Sequence, residues 1–216
     1  MVHQNILIVD YQCGNLFSIQ RALKEIGVSS FISSSANEIR GADKIILPGV
    51  GAFGDGMEKL TSFGLKDAVL ASIAAGRYIL GICLGMQLLF DESFEFGHYQ
   101  GLQLIPGSVT RLREEGSAID EKAVKVPHIG WNAIRFTHEK YSSHKLFQGV
   151  PDETYMYFLH SFGVRARQQE HCVAMTEYGD NKFCAIALHE NIIGVQFHPE
   201  ISGLSGLQLL KNFVSV

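Results

Sequence analysis

The stretch GICLGMQLLF, residues 81–90, places one cysteine between two glycines, directly after the apolar residues 78–80. Such an apolar run predicts a buried strand, and residues 84–90 predict the start of a helix. Glycines on both sides of Cys83 permit a sharp strand-to-helix turn that presents the sulfur at the end of a sheet. Cysteine is also a common buried residue, so Cys83 has two interpretations that the rest of the chain has to separate.

The first half of the chain alternates strand-like and helix-like segments. Apolar runs at residues 5–10, 44–49 and 78–82 predict strands that are buried on both faces. Residues 14–27 and 53–76 between them show helical periodicity. This alternation predicts an α/β protein with a doubly wound, mostly parallel central sheet and helices on both faces.

The second half consists of shorter strand-like segments separated by turn residues. Examples are YMYFLHSFGV at residues 155–164 and NIIGVQFHPE at residues 191–200. Residues 204–213 again show a helical pattern. We therefore expect an antiparallel-rich C-terminal half, and a single domain over residues 1–216.

Composition and charge exclude several classes of partner. The chain has 216 residues, a net charge of −4 and no run of lysine or arginine, which disfavours nucleic acid and acidic membranes as partners. The start MVHQNILIVDYQ lacks the pattern of a signal peptide. The cysteines at positions 13, 83, 172 and 184 show no CxxC spacing. We expect a reducing, cytoplasmic setting and no structural zinc site.

A histidine and a glutamate lie close together at the end of a later strand-like segment, in FHPE, residues 197–200. Pro199 biases His198 toward an extended backbone, and in an extended chain Glu200 points to the same side as His198. A carboxylate there can orient the imidazole and stabilise its protonated form. The alternative is a surface turn with two solvated side chains.

The glycine-rich segment GVGAFG, residues 49–54, also follows a predicted strand. It formally matches a dinucleotide-binding pattern, but the strand is not the first of the sheet, and Asp67 falls inside a predicted helix. Glycine-rich loops also present backbone N–H groups to anions. With Cys83, His198 and Glu200, such a loop completes the set for acyl transfer through a thioester. Cys13 also follows a strand but lacks the tight glycine frame.

Five segments resemble a known family. GICLGMQLLF and QFHPE are similar to the nucleophile and histidine/glutamate segments of class I glutamine amidotransferases, which release ammonia from glutamine on a flavodoxin-like sheet. PGVGAFGDGM (48–57), KVPHIGWN (125–132) and YFLHSF (157–162) resemble the HisH-type glutaminase subunits of imidazole glycerol phosphate synthase. The resemblance covers essentially the whole chain.

The resemblance implies that Cys83 is the nucleophile, His198 the general base and then acid, and Glu200 its orienting partner. Phe162 stands where a tyrosine is expected, and Gln12 stands where a glycine is usual. The residues implied to bind the substrate or its oxyanion are Val50, Gly51, Leu84, Gln87, Glu95, Ser161 and Phe162.

The implied partner is a TIM-barrel cyclase subunit that uses the ammonia in histidine biosynthesis, as a heterodimer. No cofactor and no metal is implied. One alternative is a paralogous glutaminase subunit that supplies ammonia for sugar amidation in a surface polysaccharide pathway, and another is a non-enzymatic binding protein with the same fold. The residues expected to face the cyclase are Lys125, Pro127, His128, Ile129, Gly130, Trp131 and Asn132.

Overall fold

The computed structural model of the chain describes residues 5–113, 124–141 and 143–216. Its helices are α1 (Leu16–Glu25), α2 (Ala36–Gly41), α3 (Phe53–Ser62), α4 (Leu65–Ala74), α5 (Leu84–Leu88) and α6 (Gly203–Ser215). Its strands are β1 (Ile6–Val9), β2 (Ser30–Ser33), β3 (Lys44–Leu47), β4 (Tyr78–Ile82), β5 (Phe90–Ser93), β6 (Tyr99–Gln100), β7 (Ile105–Arg111), β8 (His128–Ala133), β9 (Arg135–Phe136), β10 (Tyr155–His160), β11 (Phe162–Ala166), β12 (Cys172–Tyr178), β13 (Asn181–His189) and β14 (Ile192–Val195). Within these ranges, the helices are all too short or too polar to cross a membrane.

The central sheet has the strand order β2-β1-β3-β4-β14-β13-β11-β7-β5-β6, and in addition β12 pairs with β13 and β9 pairs with β12. The first five strands are parallel to one another. Most pairings beyond β14 are antiparallel, and β5 with β7 is the parallel exception. The order of the first five strands is that of flavodoxin-like sheets. This confirms the predicted α/β fold with an antiparallel-rich C-terminal half.

Both faces of the parallel region are covered by helices. Ile6 and Ile8 of β1 belong to an apolar cluster that includes residues of α1 and α6. Leu7 and Val9 belong to a second cluster, which includes residues of α2, α3, α4 and α5. Because successive side chains of a strand point to opposite faces, these two clusters lie on opposite sides of the sheet. The near-continuous apolar run of β1 therefore reflects burial on both faces, as predicted.

The glycine frame around Cys83 is required by close backbone contacts. Cys83 adopts φ 54° and ψ −109°, a conformation that non-glycine residues rarely adopt. A Cβ on Gly81 would lie 2.7 Å from the carbonyl oxygen of Gly85, and a Cβ on Gly85 would overlap the carbonyl oxygen of Leu47 at the end of β3. Both glycines let α5 begin directly at the end of β4, which favours the sharp-turn interpretation of Cys83.

The structure differs from the predicted elements in several places. The helix predicted over residues 53–76 is divided into α3 and α4 at Gly64, which adopts φ 67°. The helix predicted over residues 84–90 ends at Leu88, because the chain there pairs with residues 102–105 and Phe90 opens β5. Strand β2 and helix α2 were not predicted, because β2 is four residues long and mostly half-buried, and α2 is six residues long.

We expect Gly85→Ala to lower the free energy of unfolding by about 3 kcal/mol, because the added methyl group overlaps backbone atoms that cannot move aside. The measurement is urea unfolding followed by circular dichroism. The matched control is Gly41→Ala at the end of α2, where an added Cβ meets nothing within 4 Å. The control should leave stability unchanged or raise it by up to about 1 kcal/mol. Equal effects of the two substitutions would contradict this account of the turn.

Candidate active site

The candidate site lies where three neighbouring parallel strands end. Residues 48–52 follow β3, Cys83 follows β4, and Gln196 to His198 follow β14. Strands β3, β4 and β14 are adjacent in the sheet. The carboxyl ends of parallel strands are the usual location of sites in open α/β sheets, and the sequence-predicted groups meet at this edge.

His198 and Glu200 are in direct contact. His198 Nδ1 lies 2.8 Å from Glu200 Oε1, and both side chains are largely buried. His198 has an extended backbone, with φ −100° and ψ 94°, as expected before Pro199, but Glu200 lies in a short 3-10 turn over Pro199–Ile201. The two side chains therefore meet through a turn and not along an extended chain.

His198 interacts with Cys83 as well as with Glu200. Burial by itself lowers the pKa of His198, but interactions with the Cys83 and Glu200 side chains outweigh burial and raise it to about 10. His198 Nε2 is buried and has no aligned hydrogen-bond partner within the described ranges. His198 and Cys83 thus interact through their charges, and Nε2 is able to donate or accept a proton.

The Cys83 thiol is surrounded by polar groups. Its Sγ donates to the carbonyl oxygen of Leu159 at 3.7 Å and accepts from Gln196 Nε2, also at 3.7 Å. The backbone N–H of Cys83 donates to Val195 O at 2.8 Å. Sequence reasoning missed Gln196, which is fully buried. The available signal was a polar residue inside an apolar strand segment, two positions before His198.

A cavity of about 210 Å³ opens beside Cys83. It brings together all seven residues that the sequence assigned to substrate or oxyanion binding. His160 and Leu159 of β10 complete the lining and were not predicted. The lining residues are Val50, Gly51, Cys83, Leu84, Gln87, Glu95, Leu159, His160, Ser161 and Phe162.

Two polar side chains of the cavity are held by the protein. Gln87 Nε2 donates to the carbonyl oxygen of Phe162 at 3.0 Å and to Gln196 Oε1 at 3.1 Å. Glu95 Oε2 accepts from the backbone N–H of Phe53 at 2.7 Å, at the start of α3. Burial raises the pKa of Glu95 above its ordinary value, against the lowering effect of that N–H donor. Both side chains are thereby fixed before any substrate binds.

The predicted oxyanion donors are not both directed into the cavity. The backbone N–H of Leu84 donates to the carbonyl oxygen of Gly49 at 3.3 Å. In a trans peptide the N–H points opposite to the C=O, so the N–H of Val50 points away from Leu84. Gly51 has φ 110°, a conformation that favours glycine. The peptide between Gly49 and Val50 thus occupies the N–H of Leu84 with its carbonyl oxygen and directs the N–H of Val50 away from Leu84.

Tyr11, another residue that sequence reasoning missed, supports this loop. It is fully buried, and its hydroxyl donates to the carbonyl oxygen of Pro48. Burial raises the pKa of Tyr11 well above its ordinary value, so the hydroxyl stays protonated and remains a donor. A Cβ on Gly49 would overlap this hydroxyl and approach Leu84 Cβ to 2.8 Å. Residue 49 must therefore be glycine.

The loop after β1 contains Gln12, which departs from the family pattern, and Cys13, for which the sequence indicates no role. Gln12, at the position where the resembling family usually has glycine, adopts φ 61°, so the chain places a side chain in a conformation that glycine adopts more easily. Cys13 is buried and interacts with Lys59. Cys13 does not line the cavity around Cys83, which disfavours it as a nucleophile.

The segment expected to face a partner contains β8, which pairs with β10 in a separate two-stranded sheet. Lys125, Pro127, Ile129 and Trp131 are exposed, while Gly130 and Asn132 are half-buried. His128 differs from the expectation, because it is only 2% exposed and points inward. Alternation along the strand explains this difference, so His128 is not available to touch a partner in this conformation.

Comparison with known proteins identifies the family of the chain. The family described as Glutamine amidotransferase class-I matches residues 7–216. The fold is similar to that of PurLQS from Thermotoga maritima, with a TM-score of 0.70 and 16% identity, over 99% of each chain. A crystal structure of a glutamine amidotransferase is similar as well, with a TM-score of 0.71 and 17% identity over 97% of each chain. The chain belongs to the class I glutamine amidotransferases.

Relatives that are similar in sequence identify a narrower group within this family. The chain is 45% identical over 208 residues to imidazole glycerol phosphate synthase subunit HisH of Sulfurimonas denitrificans, over 96% of each chain. It is 42% identical over 208 residues to the HisH subunit of Chlorobaculum tepidum, over 96% of this chain and 98% of that one. Within the family, the chain groups with the HisH subunits of imidazole glycerol phosphate synthase.

We expect Glu200→Gln to lower the pKa of His198 from about 10, because one of the two groups that raise it loses its charge. The measurement is an NMR titration of the imidazole resonances. Glu177→Gln is the control, because Glu177 is paired with Lys182 and its substitution should leave the titration unchanged. A His198 pKa that is the same in Glu200→Gln and wild type would contradict the assignment.

The same shift predicts a pH dependence of stability. The folded-state pKa of His198 lies above its unfolded value of about 6.5. Its contribution to stability is therefore complete below about pH 6.5 and is lost as the pH rises through about 10. The free energy of unfolding should fall over this range by less in Glu200→Gln than in wild type.

Proposed function

We propose that the chain is the glutaminase subunit of an imidazole glycerol phosphate synthase. It hydrolyses glutamine to glutamate and passes the ammonia to a TIM-barrel cyclase subunit in a heterodimer, for histidine biosynthesis. One observation carries the proposal: Cys83, which lines the cavity of about 210 Å³, interacts with His198 of the His198–Glu200 pair at the end of the adjacent strand. The 45% identity to a HisH subunit supports the choice within the family.

In the proposed reaction, the Cys83 sulfur attacks the side-chain amide carbon of glutamine and forms a C–S bond. His198, which the pKa of about 10 leaves protonated near pH 7, holds the proton that Cys83 has given up and donates it to the leaving nitrogen, so that the C–N bond breaks and ammonia departs. The neutral His198 then takes a proton from the water that attacks the thioester, and the C–S bond breaks, which releases glutamate and restores Cys83 and the protonated His198. Glu200 holds the imidazole at Nδ1 and stabilises its protonated form.

The cavity offers groups for each part of the substrate. Glu95 provides a carboxylate for the α-ammonium group of glutamine, and Gln87 lines the same cavity. Ser161 and Phe162 line it as well. Phe162 has no hydroxyl, so any substrate contact at this position comes from its backbone or its ring. With Glu95 and Gln87 already fixed by Phe53 and Phe162, little side-chain entropy is lost on binding.

The oxyanion donors provide a reason for dependence on a partner. Rotation of the peptide between Gly49 and Val50 would release the N–H of Leu84 and turn the N–H of Val50 toward the substrate. The flanking glycines lower the cost of that rotation. Val50 is itself 45% exposed at the mouth of the cavity, where a docked cyclase can contact it and favour the rotated conformation.

An apolar surface near the site fits a protein partner. Ile129 and Trp131 of β8 are 57% and 54% exposed, and Tyr155 and Leu159 of β10 are 62% and 42% exposed. Large apolar and aromatic side chains on one exposed face are typical of interfaces. Because Leu159 also contacts Cys83, we place the cyclase on this face, where ammonia would leave.

We also propose that the chain acts as a single domain in the cytoplasm. The described cysteines are all free, which suits a reducing compartment. The family match over residues 7–216 supports one functional unit.

The isolated protein should be a poor glutaminase. Loss of a single oxyanion donor typically costs about 10²–10³ in rate, and the N–H of Leu84 is occupied by Gly49 O. Glutamate formation should therefore rise by about that factor when the cyclase and its nucleotide ligand are added. Equal rates with and without the partner would refute the peptide-rotation account. Stimulation by a sugar-amidating synthase instead would favour the paralogous function.

Substitution of Cys83 tests the role of the thiol. Cys83→Ser should abolish glutamine-dependent synthesis, because a hydroxyl is a far weaker nucleophile than a thiol at neutral pH. Synthesis driven by added ammonium salt should continue near the wild-type rate, because that chemistry belongs to the cyclase. Cys13→Ser is the matched control, and it should leave both activities nearly intact. Loss of the ammonium-driven reaction in a normal Cys83→Ser complex would overturn the assignment.

A further inference from the structure

Two histidines that the proposed chemistry leaves unused form a pair between the strands of the smaller sheet. His128 of β8 and His160 of β10 are direct partners in the strand register. His128 Nδ1 lies 3.1 Å from His160 Nε2. The two residues are 2% and 7% exposed. A buried polar pair of this kind is costly to form unless its hydrogen bonds are satisfied.

The hydrogen-bond partners determine where the protons lie. His160 Nδ1 is 2.8 Å from the carbonyl oxygen of Phe162, which can only accept. His160 Nδ1 therefore carries the hydrogen, and its Nε2 accepts from the Nδ1–H of His128. Burial lowers the pKa of His128 to about 4 and that of His160 to about 3. Both rings are thus neutral near pH 7, which this arrangement requires.

His160 connects the pair to the cavity beside Cys83. The carbonyl oxygen of Phe162 accepts from His160 and also from Gln87 Nε2, at 3.0 Å. His160, Phe162 and Gln87 all line the cavity. A continuous series of hydrogen bonds therefore runs from His128 through His160 and the Phe162 carbonyl to the Gln87 amide.

The outer end of the pair belongs to the strand that we expect to face the cyclase. His128 stacks on Tyr178, with ring centroids 4.0 Å apart, and the Tyr178 hydroxyl donates to the carbonyl oxygen of Lys125 at 2.9 Å. The next outward-facing side chains of the same strand are Ile129 and Trp131, both exposed. Strand β8 thus carries Ile129 and Trp131 on its outer face and His128 on its inner face.

We propose that His128 and His160 are positioning residues that hold the Phe162 carbonyl, and through it the Gln87 amide, at a fixed position relative to the partner-facing sheet. This inference rests on the proposed glutaminase function. Neither ring takes part in bond making or breaking. Loss of the pair should weaken binding of glutamine, because the Phe162 carbonyl, one of the two acceptors that orient Gln87, would be held less firmly, and it should change the chemical step less.

Two variants test the two halves of the pair. His160→Asn places an amide nitrogen two bonds from Cβ, as Nδ1 is, so it retains a donor for the Phe162 carbonyl but does not reach His128. His128→Phe retains a ring to stack on Tyr178 but has no donor for His160. In the complex with the cyclase, each variant should raise KM for glutamine by about fivefold or more, the effect of one lost hydrogen bond. The change in kcat should be smaller.

The control is His171→Phe. His171 is also buried and lies beside another histidine, His189, at a centroid distance of 4.4 Å, but it does not line the cavity. This control should leave KM unchanged. A melting temperature is measured for each variant, and if His128→Phe does not fold, His160→Asn decides the question.

Three outcomes would overturn the inference: a wild-type KM in a folded His128→Phe protein, a wild-type KM in His160→Asn, or an equal rise in KM in His171→Phe. Failure of the wild-type complex to form glutamate would instead remove the proposed function. If the wild-type complex is active while KM is unchanged in the variants, only the positioning role fails.

Discussion

The close approach of Gly85 to the end of β3 is the constraint on which the site depends. Helix α5 begins directly at the end of β4 and lies against the carbonyl of Leu47, where no Cβ would fit. This arrangement leaves Cys83 in a strained backbone conformation, with φ 54°. It also places the N–H of Leu84 beside the carbonyl of Gly49. The position of the thiol and the hydrogen bond of the Leu84 N–H, a proposed oxyanion donor, thus both depend on the close approach of α5 to the end of β3.

Strand β10 connects this constraint to the rest of the site. Its Leu159 carbonyl accepts from Cys83 Sγ, and its Tyr157 carbonyl accepts from the backbone N–H of His198. His160 at its end lines the cavity. A single strand therefore contacts the proposed nucleophile, the proposed base and the cavity beside Cys83, and its outer face carries the exposed Tyr155 and Leu159. A partner that binds this face touches the element that organises the site.

Two buried histidines near the thiol have opposite pKa shifts, and the cause is their partners. Burial lowers the pKa of both. For His198, the Cys83 and Glu200 side chains outweigh burial and raise the pKa to about 10. For His160, the carbonyl of Phe162 offsets burial only in part, and the pKa falls to about 3. The same residue type is thus suited to proton transfer at one position and to fixed hydrogen bonding at the other.

The sequence by itself determined the fold class and pointed to the proposed reactive groups. Apolar runs predict strands that are buried on both faces, and the glycines around Cys83 predict a turn that admits no side chain. The sequence shows both features because each depends on neighbouring residues in the chain. Tertiary structure alone decided that β8 and β10 form a separate sheet, that His128 points inward, and that Gln196 and Tyr11 support the site. These features depend on which distant segments of the chain pair with one another. The same is true of the hydrogen bond from the N–H of Leu84 to Gly49 O. The periodicity of a local segment does not encode contacts between residues so far apart in the chain.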